Sequence, residues 1–118
     1  MKRLAVATLA VCGVVGGAAW AAEPVASAKP SGEAVYAHWC APCHAPGPGH
    51  PGTESLQVKY GGKTPAVLVE RTDLTPQVVS TFVRQGVLLM APFRKSEITD
   101  MELAGLAAYV SERGRPIR

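Results

Sequence analysis

Two cysteines and a histidine form the most constraining feature of this sequence, in the run Cys40-Ala41-Pro42-Cys43-His44. On a helix, residues three and four positions apart share one face, so two thiols and an imidazole would point the same way. This C-x-x-C-H spacing is the pattern by which haem is attached covalently to protein. The thiols form thioethers with the two vinyl edges of one porphyrin, and the imidazole becomes a proximal iron ligand. The segment therefore predicts a fold built around a flat, bulky cofactor.

The same residues admit other interpretations. Trp39 before the first thiol completes the Trp-Cys-x-x-Cys motif of thioredoxin-like oxidoreductases, in which the first thiol, here Cys40, has a depressed pKa and attacks disulfides. A structural disulfide or half of a zinc site is the third interpretation. Zinc would need about two more ligands, and only His38 and His50 are available. The rest of the chain has to decide between them.

The N-terminal segment is typical of a secretory signal peptide. Lys2 and Arg3 give a charged start, residues 4–19 form an apolar run, and Ala19-Trp20-Ala21 offers a small-x-small cleavage site. Retention as a membrane anchor is the alternative, although the run is short and interrupted by glycine for a spanning helix of about 20 residues. We predict a signal peptide over 1–21, a loose leader over 22–30 and one domain over 31–118.

Removal of the signal peptide changes the composition of the mature chain. Cys12 is lost, so only Cys40 and Cys43 remain, both of them used by one haem. Loss of Lys2 and Arg3 lowers the twelve Lys and Arg residues to ten, against nine Asp and Glu. No clustered basic patch of the kind that binds nucleic acid is present. A domain this small usually needs an extra staple to its core, and a covalently bound porphyrin would be that staple.

The first predicted helix ends at the motif. Ser31 is a suitable N-cap, and an apolar stripe at helical spacing follows it from Val35 to Cys43. No apolar run of strand type comes before Cys40. Thioredoxin-like folds place the motif at the start of a helix after a strand, so this pattern argues against thiol–disulfide chemistry.

Four further helices are predicted from their boundary residues, which makes the domain all-α. Proline at a first helical position, Ser/Thr caps and glycine stops supply these boundaries. The predicted elements run from Thr53 to Tyr60, from Thr64-Pro65 over Val67 and Leu68, from Thr75-Pro76 to Gly86, and from a capping box at Thr99–Glu102 to Gly114. Residues 87–96 are predicted to be a loop.

These residues resemble small class I cytochromes c over most of the mature chain. The family's small residue, aromatic residue and attachment motif match Gly32-x-x-x-Tyr36-x-x-x-Cys40-x-x-Cys43-His44, and Leu106-x-x-Tyr109 matches its last helix. The resemblance implies about five helices around a covalently bound haem c, with the N- and C-terminal helices crossing. Gly32 would then allow the close approach at that crossing.

The resemblance also implies a second axial ligand, for which Met90 is our prediction. Met90 lies in a loop similar to the family's methionine loop, although the family's proline follows the methionine directly and here Ala91 intervenes before Pro92. A soft thioether favours ferrous iron. The other candidates for this ligand are less suitable, because His50 is expected to be an exposed loop residue and His38 a surface residue.

Two smaller expectations complete the site. Met101 follows a helix cap and is expected to face solvent. In the family a proline carbonyl accepts a hydrogen bond from the second nitrogen of the proximal histidine, and Pro51 is our candidate, with Pro46 and Pro48 as alternatives.

The sequence thus predicts a periplasmic monohaem electron carrier with His44 and Met90 as ligands, and not an enzyme. The alternatives are a thioredoxin-like oxidoreductase using Cys40 and Cys43, or a haem sensor or peroxidase-like protein with a labile distal site. The chain is also similar to cytochrome subunits of p-cresol methylhydroxylase-type flavocytochromes, which implies a flavoprotein partner. Arg94 and Lys95 could flank the haem edge and offer positive charge to an acidic docking surface, or be ordinary solvated charges. Nucleic acid is not an expected partner, and a membrane is expected as one only if the signal segment is retained.

Overall fold

Residues 30–114, the part of the chain that the computed structural model describes, contain four helices and one short 3₁₀ turn joined by loops. The predicted signal peptide and nearly all of the leader lie outside these residues and stay predictions. Within them there is no strand, only an isolated bridge between Val87 and Met90. The all-α prediction is therefore confirmed.

Helix α1 covers residues 32–44 in three successive pieces: Gly32–Val35, a π-helical turn at Tyr36–Cys40, and Ala41–His44. Ser31 caps it as predicted, because its hydroxyl accepts a hydrogen bond from the Ala34 N–H at 3.1 Å. The π turn was not predicted. Pro42 accounts for it, since proline has no N–H and its ring would clash with the carbonyl four residues back. The chain widens there, and the Ala41 N–H bonds to the carbonyl of Tyr36, five residues back.

Helix α2, Pro51–Tyr60, begins three residues before the predicted start, since the predicted cap was Thr53. His50 occupies the cap position and Pro51 the first helical position, which suits a residue without an N–H. The prediction that Thr53 caps this helix is wrong, because Thr53 is buried and its hydroxyl donates to the Ala45 carbonyl instead. Gly61, at φ 54°, ends the helix as predicted.

The helix predicted from Thr64-Pro65 is reduced to one 3₁₀ turn, Leu68–Glu70. The segment is short, and forming the first turn of an α-helix costs more than a few residues can repay. Ala66 is buried and Leu68 packs on the core, so the chain uses these side chains without a regular helix.

Helices α3, Pro76–Gln85, and α4, Asp100–Arg113, follow the predicted boundaries. The Thr75 hydroxyl accepts from the Val78 N–H, and Gly86 ends α3 at φ 70°. Thr99 and Glu102 form the predicted capping box of α4 through both of its hydrogen bonds.

Helices α1 and α4 cross at Gly32, as the class I resemblance implied. A Cβ atom on Gly32 would lie 2.1 Å from the carbonyl oxygen of Gly105 and 2.9 Å from Cβ of Tyr109. Only glycine allows this approach. Beside the crossing, the Tyr36 and Tyr109 rings pack with centroids 5.6 Å apart.

The core lies between these two helices and α3. Its fully buried side chains are Ile98, Leu106 and Val110, and Val35, Leu74 and Val83 surround them. Among the helices of residues 30–114, none combines the length and the apolar character that a membrane span requires.

Candidate functional site

One cavity brings together residues predicted from opposite ends of the domain. Cys40 and His44 of α1 line it, and so does Met90 of the loop between α3 and α4. Most of the remaining wall is apolar and comes from all four helices. The space that the cavity encloses is about 130 Å³, smaller than the roughly 300–1,000 Å³ that is usual for ligand pockets.

The two thiols differ in environment. Cys40 is buried in the cavity wall, whereas Cys43 is exposed, and they form no disulfide. Burial, with a smaller contribution from the nearby Cys43, raises the pKa of the Cys40 thiol to about 11. A thiol–disulfide oxidoreductase needs the opposite shift in its attacking thiol. Together with the absence of a strand among residues 30–114, this pKa argues against the thioredoxin-like interpretation.

His44 lies against the first turn of α2. A Cβ atom on Gly52 would be 2.6 Å from Cε1 and 2.8 Å from Nδ1 of the imidazole, so glycine is required for this contact. Nδ1 is buried and has no hydrogen-bond partner among the described residues. Burial lowers the pKa of His44, because the imidazolium is less well solvated there. Burial therefore favours the neutral ring, which is the form that binds a metal ion.

The hydrogen bond predicted between His44 and the Pro51 carbonyl is not formed. Pro51 is the first residue of α2, and its carbonyl accepts a hydrogen bond from the Ser55 hydroxyl at 2.7 Å. The carbonyl is thus directed along the helix, which explains why it does not meet the imidazole.

A tight turn holds Met90 at the cavity. The backbone N–H of Val87 donates to the carbonyl of Met90, and the N–H of Met90 donates to the carbonyl of Val87, both at 2.9 Å. A Cβ atom on Gly86 would lie 2.5 Å from the Met90 carbonyl oxygen and 2.9 Å from the Pro92 nitrogen. Glycine at this position lets the loop close in spite of the extra Ala91.

The competing side chains take different positions. His38 is exposed with its ring edge on Trp39, and Met101 is 57% exposed, as expected. The expectation that His50 is simply exposed is wrong: it is half-buried, and its Nδ1 donates to the Pro42 carbonyl at 3.0 Å. His50 therefore contacts the attachment segment itself.

Sequence reasoning missed a buried arginine in the cavity wall. Arg71 is 7% exposed, pairs with Asp73 through Nε–Oδ1 at 2.9 Å, and donates to the Tyr60 hydroxyl at 3.0 Å. The Arg71 guanidinium holds the pKa of the Asp73 carboxyl below its usual value. No periodic pattern marks Arg71, and only the Asp two residues later hinted at a local ion pair.

A family model described as "Cytochrome C oxidase, cbb3-type, subunit III" matches residues 27–110. The chain belongs to this family. A comparison with curated proteins and one with solved structures found no match.

Membership makes the chain a c-type cytochrome, a haem protein that transfers electrons, and it supports the class I resemblance. The residues present fit a covalently bound haem c. The Cys40 thiol and the His44 imidazole line a mainly apolar cavity, with the exposed Cys43 thiol between them in the chain, and the thioether of Met90 is a soft ligand on the same cavity. For zinc, the described residues provide no group of three or more His, Cys, Asp or Glu side chains that could hold the ion.

Proposed function

We propose that this cytochrome is a periplasmic monohaem electron carrier in which Cys40 and Cys43 hold the haem and His44 and Met90 ligate its iron. One observation supports this proposal above the others. His44 and Met90 come from different parts of the chain and line the same apolar cavity, with Cys40 in its wall.

In such a carrier the protein binds the haem, excludes water from it and tunes its reduction potential. Bound haem supplies a one-electron couple, and two protein ligands leave no open position for a substrate. The apolar wall keeps water from the site, and burial favours the neutral form of His44. A thioether from Met90 favours the ferrous state and so raises the reduction potential.

The polar part of the cavity wall suits the acidic groups of a porphyrin. Lys59, Tyr60 and Arg71 line the same cavity, and haem carries two propionates. The paired donors of Arg71 are used by Asp73, so Arg71 would contribute its positive charge, and Lys59 and Tyr60 their own donors, to these carboxylates. We therefore assign these three side chains to the propionate edge.

The distal ligand is tested by Met90→Ala, with Met101→Ala as the matched control. Met101 is 57% exposed on α4, so its truncation should leave the haem spectrum and the potential unchanged. Met90→Ala should abolish the sulfur-to-iron absorption band, lower the potential and let carbon monoxide bind the reduced protein. An intact band and an unchanged potential in Met90→Ala would exclude Met90 as the ligand.

A reduced-minus-oxidised absorption spectrum of the purified protein comes first, because it separates the haem proposal from the thiol alternative. Free thiols without haem absorption would contradict the proposal. Binding of carbon monoxide by the wild-type reduced protein at neutral pH would favour the sensor or peroxidase-like alternative.

Two classes of redox partner are proposed, one from the flavocytochrome likeness and one from the family description. The flavocytochrome likeness suggests a flavoprotein donor, which should reduce the haem rapidly when its reduced form is titrated against this protein. The family description names an oxidase subunit, so a terminal oxidase is the second class to test as acceptor. Arg94 and Lys95 have ion-pair partners in Glu97 and Asp100, which weakens their attraction for an acidic surface.

The location is proposed from the predicted signal peptide. Cell fractionation should find the haem protein in the periplasmic fraction. Recovery with the membrane fraction would instead support retention of the N-terminal segment as an anchor.

A further inference from the structure

The C-terminal end of helix α1 carries the attachment motif, and its backbone carbonyls need partners from elsewhere. The last carbonyls of any helix have no N–H donor within that helix. Helices commonly solve this with N–H groups from the two residues that follow. Here the Ala45 N–H bonds to the Ala41 carbonyl, but Pro46 and Pro48 have no N–H to give. The Gly49 N–H donates to the Glu54 side chain instead, and no backbone N–H of the described residues donates to the carbonyls of His44 and Ala45.

Side chains supply the missing donors. The Tyr36 hydroxyl donates to the His44 carbonyl at 3.0 Å, and the Thr53 hydroxyl donates to the next carbonyl, that of Ala45, at 2.9 Å. The two hydroxyls come from opposite sides in sequence, one from α1 and one from α2. Together they hold the carbonyl oxygens of two successive residues, His44 and Ala45.

Both donors belong to the buried part of the protein. Tyr36 is 7% exposed and Thr53 is 8% exposed. Each hydroxyl therefore holds its carbonyl in a fixed geometry that water does not readily replace.

The imidazole of His44 lacks the usual means of orientation. A metal-binding histidine normally donates its second N–H to an acceptor, which fixes the ring. In this chain Nδ1 of His44 has no such partner among the described residues, and the ring edge lies against Gly52. The orientation of the ring must then come largely from the backbone that carries it.

We propose that Tyr36 and Thr53 are positioning residues that orient His44 through its backbone, because their hydroxyls hold the carbonyl of His44 and that of the residue after it. This inference rests on the proposed role of His44 as an iron ligand. It assigns to two side chains, outside the ligand set, the function that a hydrogen bond to Nδ1 otherwise performs.

The test uses the haem-loaded protein with four variants in two matched pairs. Tyr36→Phe keeps the ring in place and removes only the hydroxyl; Tyr109→Phe, which removes the other hydroxyl of the same aromatic pair, is its control. Thr53→Val is nearly isosteric and also removes one hydroxyl; Thr81→Val is its control, because Thr81 donates to the Gln77 carbonyl within α3. Thr53→Ser restores the donor.

The readouts are the g values of the ferric protein by electron paramagnetic resonance and the reduction potential. Both depend on how the imidazole is oriented, and neither follows stability alone. We expect both to shift in Tyr36→Phe and Thr53→Val, to return toward wild type in Thr53→Ser, and to stay unchanged in the two controls.

Two outcomes distinguish failure of this inference from failure of the proposed function. If the wild-type spectra show histidine ligation but Tyr36→Phe and Thr53→Val keep the wild-type g values and potential, the two hydroxyls have no positioning role. If the wild-type protein shows no histidine-ligated haem, the proposed function fails, and the inference that rests on it fails as well.

Discussion

The crossing of helices α1 and α4 gives the sharpest quantitative prediction, because two glycines face each other there with very different space around them. A Cβ atom on Gly32 would meet backbone atoms of Gly105 at 2.1 Å and 2.5 Å. A Cβ atom on Gly105 would lie 3.6 Å from the Gly32 nitrogen, which is ordinary van der Waals contact. The same added methyl group should therefore have opposite effects at the two positions.

The magnitudes follow from the atoms involved. Overpacking costs about 1–3 kcal/mol, and Gly32→Ala belongs in the upper part of that range because its close neighbours are backbone atoms that cannot rotate away. A gain in helix propensity offsets part of this, so we expect a loss of about 2 kcal/mol. Gly105 lies inside α4, where alanine is favoured over glycine by up to about 1 kcal/mol. Gly105→Ala should therefore stabilise the fold.

Thermal unfolding of the haem-loaded variants, followed by circular dichroism, measures both effects. For a domain of this size about 1 kcal/mol corresponds to roughly 4–8 °C. Gly32→Ala should thus lower the Tm by roughly 8–16 °C, and Gly105→Ala should raise it by up to about 8 °C. Equal stability of Gly32→Ala and wild type, or equal destabilisation of both variants, would refute the argument from the crossing.

Two further predictions concern the methionine loop and the buried arginine. Leu88 has φ 52° and its side chain is 93% exposed. Leu88→Gly should therefore relieve about 1–2 kcal/mol of left-handed strain. Because glycine also costs conformational entropy, the net gain in the free energy of unfolding, measured in urea, should be about 0.5–1 kcal/mol. Leu89→Gly, also almost fully exposed, has no strain to relieve and should lower that free energy; equal effects in both variants would argue against strain. Asp73→Asn should cost about 0.5–1 kcal/mol at neutral pH, because it removes the carboxylate that pairs with the buried Arg71. The pKa of Asp73 is lowered in the folded protein, so the pair stabilises above the unfolded pKa of about 4 and is lost as the pH falls through the folded value. The gap between variant and wild type in urea unfolding should close on acidification; a gap independent of pH would contradict this.

The sequence could predict the elements whose signals are local. Ser31, Thr75 and the Thr99–Glu102 box each cap a helix with the predicted hydrogen bonds. These caps depend on atoms three residues apart, so the chain itself contains all the information. The crossing glycine was predictable in a different way, from the spacing it shares with a known family.

The predicted start of α2 was wrong because the Thr53 hydroxyl makes a different hydrogen bond. As a sequence signal, a threonine before an apolar run is a helix cap. In the fold its hydroxyl meets the Ala45 carbonyl, eight residues back along the chain. Tertiary contacts of this kind override the local helix preference, and no residue pattern near Thr53 indicates that its hydroxyl will be used in one.

Of the candidate site, the sequence predicted that Cys40, His44 and Met90 meet, and the structure places all three on one cavity. The roles of Cys40 in haem attachment and of His44 and Met90 as iron ligands stay proposals. The polar surroundings could not be predicted, because Arg71 and Tyr60 reach each other across eleven positions without a periodic pattern. The burial of Arg71 depends on how several elements pack together, so the sequence alone does not reveal it.

Proline connects the two features of the motif that the sequence analysis missed. Pro42 cannot donate to the carbonyl four residues back, and the helix widens into a π turn just before the motif's second half. Pro46 and Pro48 cannot donate to the carbonyls at the end of the same helix, and Tyr36, His50 and Thr53 take over that role. The missing donors are readable from the sequence, whereas the side chains that replace them are set by the packing of α1 against the following loop and α2. A proline-rich segment around an attachment motif therefore predicts that side chains from other elements will hold the motif's backbone, and only a structure identifies which ones.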